Sequence, residues 1–203
     1  MKTMIKNAMI LTAITLVAGI LLGLVYEVTK EPIALAKEQA KKEAYQKVMS
    51  DADSFVLDES FEEKQVEQAI LDAGITGCSV QEFVTAKAGE EIVGYVVTAT
   101  SAEGYGGDIQ VSVGILPDQT VAGIAILSIH ETAGLGMKAS EPAFYNQFAG
   151  KLVDLFTVTK TGASADGEID ALSGATITST AVTDAVNAAV LTFQEVIGGG
   201  GNE

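Results

Sequence analysis

The chain of 203 residues contains no arginine: its twelve cationic side chains are all lysine, set against 27 acidic ones. A phosphate bound here cannot use arginine's planar, two-pronged clamp and must rely on backbone N–H groups, hydroxyls, lysine or a covalent bond. The net charge of −15 argues against nucleic acid, whose binding rests on cationic neutralisation of phosphates. It also opposes docking on anionic head groups, and leaves solubility or attraction to a basic partner surface. Cysteine is nearly absent. Cys78 stands alone, so no intrachain disulfide and no cysteine cluster for zinc or iron–sulfur is available. It reads as a small buried hydrophobe. His130, also alone, belongs to no recognisable hydrolase triad and reads as a structural or exposed side chain. No glycine-x-glycine-x-x-glycine turn is present, so hydride exchange with a nicotinamide is not expected here.

What the chain does have is a long apolar run. Residues 8–26 carry no charge and as a helix would span about 28 Å, close to the ~30 Å hydrocarbon core. The run exceeds the ~7–15 residues of a signal-peptide core. The small-x-small stretch Ala34-Leu35-Ala36 lies well downstream, past Glu27, Lys30, Glu31 and Pro32. A retained transmembrane helix is therefore expected. Lysines flank it on both sides, so the positive-inside count does not choose an orientation. The short basic arm before the run resembles an uncleaved export signal, which places residues 1–7 in the cytoplasm. Pro32 is expected to kink or interrupt the chain, with a strut helix over residues 34–49. Residues 27–50 then read as a juxtamembrane linker, and residues 51–203 as an extracytoplasmic domain long enough to bury a core.

From Val80 the hydrophobic period changes from helical to alternating. Val80–Ala86 and Ile92–Thr100 flank Lys87-Ala88-Gly89-Glu90 as a hairpin. Ile109, Val111, Val113 and Ile115 alternate as in a half-buried strand, and residues 121–129 return after the turn Pro117-Asp118-Gln119-Thr120. Residues 50–60 read as a loop, 61–73 and 142–148 as short helices, and 177–197 as a longer one. The Gly198–Gly201 tail reads as disordered. Strands bracketed by helices give an α+β class: a mainly antiparallel sheet flanked by helices, behind one N-terminal transmembrane helix.

Three short stretches carry the chemistry. Asp170-Ala171-Leu172-Ser173-Gly174-Ala175-Thr176 precedes the long helix. Its small residues let the backbone approach a ligand, and the helix start offers unpaired N–H groups and a positive dipole end to a phosphate. A loop with an ordinary hydroxyl cap is the plainer reading of those residues alone. The other two stretches are Gly104-Tyr105-Gly106-Gly107 and Glu131-Thr132-Ala133-Gly134-Leu135-Gly136.

Together, the three resemble the elements of the FMN-binding domain family, in the family's own order. In that family a flavin transferase uses FAD to attach FMN, through its phosphate, to the last threonine of the first stretch. The resemblance implies covalent FMN on Thr176, with Asp170, Ser173, Gly174 and Ala175 completing the signal. Tyr105, Glu131, Thr132, Leu135 and Gly136 become candidate flavin walls, with Lys138 just beyond them. Ala133 stands where the family usually has proline, which puts the rigidity of that loop in question. Within the family the likeness is greater to the G subunits of Rnf ferredoxin:NAD oxidoreductase complexes than to the C subunits of sodium-translocating NADH:quinone reductases. An Rnf-like part implies an electron-transfer component without a complete catalytic site of its own, working beside the A, B, C, D and E components of the membrane complex. A membrane-anchored binding module without redox function is the reading from another class.

Overall fold

The computed structural model describes residues 1–198; most of the expected glycine tail lies outside the described residues. Two compact units are present, residues 1–42 and residues 43 onward. The first belongs to helix α1 (Lys2–Val48), whose apolar stretch is long enough to cross a membrane and is not buried inside the protein. The helix runs through Pro32 without interruption, so the break that was one of the two expected outcomes does not occur. Proline removes one backbone donor, and the flanking Ala, Leu, Lys, Glu and Gln residues are strong helix formers that carry the helix past it.

The second unit is built on a five-stranded meander: β1 (Ser54–Leu57), β2 (Cys78–Ala88), β3 (Glu91–Ser101), β4 (Ile109–Ile115) and β5 (Val121–Ser128). Neighbours pair in sequence order and every pairing is antiparallel. Strand β1 falls where a loop was expected; its register, Phe55 opposite Ala86 and Leu57 opposite Val84, adds it as an edge strand to β2. Four residues with little alternation leave too weak a pattern to read, and cross-strand pairing decides. The long α4 (Thr176–Phe193) covers one face of the sheet, and α2 (Lys64–Asp72) packs against α4 with Val66 and Ile70 in the same core. Ile109, Val111, Val113 and Ile115 all point to that face and are fully buried with Val182, Val186 and Phe193. Each such side chain contributes about 1.5–3 kcal/mol. Ala181, Ala185, Ala188 and Ala189 keep the helix surface flat enough for close packing.

The opposite face is covered as well, by the last turn of α1. Tyr45, Val48 and Met49 pack with Ala52 against Val84, Ala86, Val96 and Ala125. A Cβ at Gly114 would stand 2.7 Å from the Val48 carbonyl, and one at Gly94 would strike the Met49 side chain. Glycine is needed at both. Strand β4 is therefore buried on both faces, and the half-buried expectation is corrected by a helix far away in sequence. Polar groups under this lid are paired. Tyr45 Oη donates to Glu82 at 2.5 Å and lies 3.3 Å from Thr98, which meets Ser112 at 3.0 Å.

Past β5 the chain makes a 3₁₀ turn (Gly136–Ser140), the short helix α3 (Pro142–Tyr145), and a two-stranded parallel pair, β6 (Thr157–Thr159) and β7 (Glu168–Asp170). That pair was not expected from the sequence. Asn187 of α4 pins its approach: its amide accepts from the Phe156 N–H at 2.7 Å and donates to the Phe156 carbonyl at 2.9 Å.

Candidate functional site

Strand β7 delivers the chain to α4 through a tight turn. The Ala175 N–H donates to the Leu172 carbonyl at 2.9 Å, and Gly174 sits at φ 77°. Those are the marks of a type II turn, whose second central residue needs positive φ. Ser179, one turn into the helix and fully buried, latches this loop. Its hydroxyl accepts from the Leu172 N–H at 2.9 Å and donates to the Ala175 carbonyl at 3.0 Å. The helix begins without a side-chain cap, Ala175 being its N-cap, and its first backbone bond is Ser179 N–H to Ala175. The N–H groups of Thr176, Ile177 and Thr178 therefore have no partner among the described residues, and the positive end of α4 is open. This differs from a hydroxyl-capped start.

The facing wall is the loop after β5. Its Thr132 carbonyl accepts from the Leu135 and Met137 N–H groups at 3.1 and 3.2 Å, with Gly134 at φ 77°. Ala133 thus occupies the first central position of a second tight turn, where proline would pre-set φ. Closing the turn consumes the Leu135 and Met137 donors, so fewer N–H groups are open to a ligand than the sequence suggested. Gly104-Tyr105-Gly106-Gly107 lies alongside. A Cβ on Gly106 would strike the His130 carbonyl, so that glycine lets the two loops pack backbone to backbone, while one on Gly104 would strike the Gly107 carbonyl within its own loop. His130 itself is exposed.

Between these walls is a cleft of about 560 Å³, within the range of small-molecule sites. Tyr105, Glu131, Thr132, Leu135 and Gly136 line one side; Gly174, Ala175 and Thr176 line the other. Three expected residues are not in its lining. Ser173 is exposed, and so is Lys138. Asp170 is a structural clamp: its carboxylate accepts from the Ala163 N–H at 2.6 Å, and its own N–H donates to Gln147 at 2.7 Å. Two lining residues escaped sequence reasoning, Ile177 and Thr178. An isoleucine set amid the hydroxyls of residues 176–180 was the signal for the first. Burial of Thr178 against Gly136 had none.

Glu131 is the one acid in the cleft lining. A Cβ on Gly136 would stand 2.9 Å from its Oε2 and 2.7 Å from Thr178 Oγ1, and one on Gly104 would stand 3.1 Å from its Oε1. Glycines thus make room for this carboxylate on two sides. Its Oε1 is buried without a hydrogen-bond partner, which costs about 1–3 kcal/mol or more for a charged acceptor. Away from the cleft, burial pushes the Cys78 thiol up to about 11, against a hydrogen bond from Ser101. Burial also raises Asp184 of α4, with the Glu103 carboxylate adding to it.

The FMN-binding domain family matches residues 104–191, and the RnfG N-terminal region matches residues 1–48. The G subunit of the Na(+)-translocating ferredoxin:NAD(+) oxidoreductase complex of Acetobacterium woodii is 35% identical over 96% of this chain and 94% of its own. The G subunit of the proton-translocating complex of Clostridium ljungdahlii is 33% identical over 93% of this chain and 91% of its own. Among solved structures, the C subunit of the Na(+)-translocating NADH-quinone reductase of Parabacteroides distasonis shares the fold, with a TM-score of 0.52 and 23% identity over 76% of this chain and 82% of its own. The cleft fits FMN on its own chemistry. Apolar Tyr105, Leu135 and Ile177 can face a ring, open helix N–H groups a phosphate, and an orphaned acceptor the ligand's hydroxyls.

Proposed function

Because the chain belongs to the family of G subunits of ion-translocating ferredoxin:NAD(+) oxidoreductase complexes, we propose that it is a membrane-anchored electron relay carrying FMN joined by its phosphate to Thr176. The observation that carries this reading is the position of Thr176. It lies on the cleft lining at the first residue of an uncapped helix, opposite the glycine-rich walls. Attachment forms a bond between Thr176 Oγ and the phosphorus of the FMN half of FAD; AMP leaves and the hydroxyl proton is lost. A flavin transferase would perform this step. The N–H groups of Thr176, Ile177 and Thr178 then face the remaining phosphate charge, which a chain without arginine has few other ways to hold.

Bound FMN supplies transfer of one or two electrons. The chain's part is to position it: Leu135 and Ile177 offer apolar contact, Tyr105 an aromatic edge, and the Ser179 latch keeps the attachment loop on the helix. Residues 8–26 cross the membrane, residues 1–7 stay in the cytoplasm, residues 27–50 link, and residues 51–203 work outside beside the other components of the membrane complex. Co-expression with a flavin transferase followed by intact-mass measurement tests the attachment. The wild-type chain gains one FMN, and the gain maps to the peptide holding Thr176. Thr176→Ala gains none and keeps its fold, while Thr178→Ala still gains it. FMN mapped to Thr178 or Ser179 overturns the assignment.

A further inference from the structure

We propose that Glu131 holds the ribityl chain of the flavin, its carboxylate accepting hydrogen bonds from the ribityl hydroxyls; this rests on FMN being attached at Thr176. Among the described residues, Glu131 Oε1 is the one buried side-chain oxygen or nitrogen without a hydrogen-bond partner, and the residue lines the cleft. The carboxylate oxygen Oε1 is an acceptor, and the partner it lacks is a donor. FMN offers two kinds, the ribityl hydroxyls and the ring N3–H. The phosphate is excluded because two anions repel.

Position chooses between the donors. Gly136 sits between Glu131 and Thr178: a Cβ there would be within 3 Å of both side chains. The carboxylate therefore lies beside the first turn of α4, two residues from the attachment point, which is where the chain next to the phosphate must pass. The ring, further from the phosphate, falls toward Tyr105, which is well exposed. Room is provided for this carboxylate and for little else. The two glycines flanking it, Gly104 and Gly136, admit no side chain. Since no protein donor ties Oε1 down, the group can turn into the cleft when a hydroxyl is offered, its terminal torsion being soft.

Glu131→Ala and Glu131→Gln, made in the full chain and co-expressed with a flavin transferase, test this in detergent. Intact mass first shows whether FMN is attached, which decides the reading beneath. On FMN-bearing chains, acrylamide quenching and anisotropy of flavin fluorescence then report how firmly the flavin is held. The alanine variant should keep its FMN, at least double its quenching constant and lose anisotropy. The glutamine variant, which keeps an acceptor oxygen, should stay near wild type. Unchanged quenching and anisotropy in the alanine variant overturn the proposal. Chain made without the transferase gives an independent arm, with riboflavin and lumiflavin as probes. Lumiflavin has the ring but no ribityl chain. Wild type should bind riboflavin about tenfold more tightly, and Glu131→Ala should abolish that difference. Equal binding of the two by wild type, or binding of neither, overturns the proposal even if no FMN is ever found on Thr176. Should alanine fail to fold, Glu131→Met keeps the length without the acceptor, and the same outcomes decide.

Discussion

Ala133 shows how one residue can be read through its turn. It occupies the first central position of a turn closed by Leu135 N–H on the Thr132 carbonyl, where proline costs no main-chain bond and stiffens the unfolded chain. Ala133→Pro should stabilise the protein by about 0.4–1 kcal/mol, measured as a higher denaturation midpoint in detergent; a lower midpoint would mean that the local φ is wrong for proline. Asp184 gives a pH signature. Burial and Glu103 raise its carboxyl above the ordinary value of 3.8, so the folded state binds the proton more tightly than the unfolded state. Stability from this group is present below pH 3.8 and is lost as pH climbs through the raised value. Asp184→Asn should therefore raise the melting temperature at about pH 7, and the advantage should vanish below pH 3.8. An equal advantage at both pH values would assign it to something other than titration. Ser179 and Thr178 differ in the same concrete way. Both are buried hydroxyls, but Ser179 latches the attachment loop and Thr178 faces the cleft.

Among the elements, α4 carries the site and the sheet, through β3 and β4, carries α4. The helix supplies the attachment residue from its first turn and the core from its remainder, so a shift in its packing moves the site. The last turn of α1 holds the sheet from behind, and glycine makes that contact possible. Gly114→Val would bring a side chain to within 3 Å of the Val48 carbonyl, and overpacking of this kind costs about 1–3 kcal/mol. The expected result is a lower melting temperature with FMN attachment retained. A valine variant as stable as wild type would show that the end of α1 is not held on the sheet.

At the scale of the whole molecule, charge and hydrophobicity are segregated. Residues 43–203 hold 24 of the acidic side chains and six lysines, while the uncharged stretch lies near the N-terminus. So acidic a unit repels anionic membrane surfaces and favours a basic partner face. For the topology proposed above, Lys160 is the better reporter, because it is exposed whereas Lys151 pairs with Asp166 at 3.2 Å. An impermeant amine-reactive label on intact spheroplasts should modify Lys160. Labelling that appears only after lysis would place this unit on the cytoplasmic side.

Local chemistry was enough for much of this. The apolar run, the hairpin at Gly89, the alternation of Ile109 to Ile115 and the small-residue stretch before α4 each lie within a few residues of sequence, so propensity and period expose them. The α+β class and the family followed from their order. Tertiary structure alone decided which of those residues meet. Tyr105, Glu131 and Thr176 share a cleft because the sheet and α4 bring three distant loops together, while Lys138, a neighbour of Leu135 in sequence, turns out of it. Strand β4 is buried on both faces because the end of α1 returns to cover it. The edge strand β1 forms on a partner well along the chain, Ser54 opposite Lys87, and the three-residue strands of the parallel pair are too short to show a period. The isolation of Glu131 Oε1 likewise depends on glycines at 104 and 136 closing around it. Such contacts depend on which surfaces fit once the chain is compact, and no local period records that.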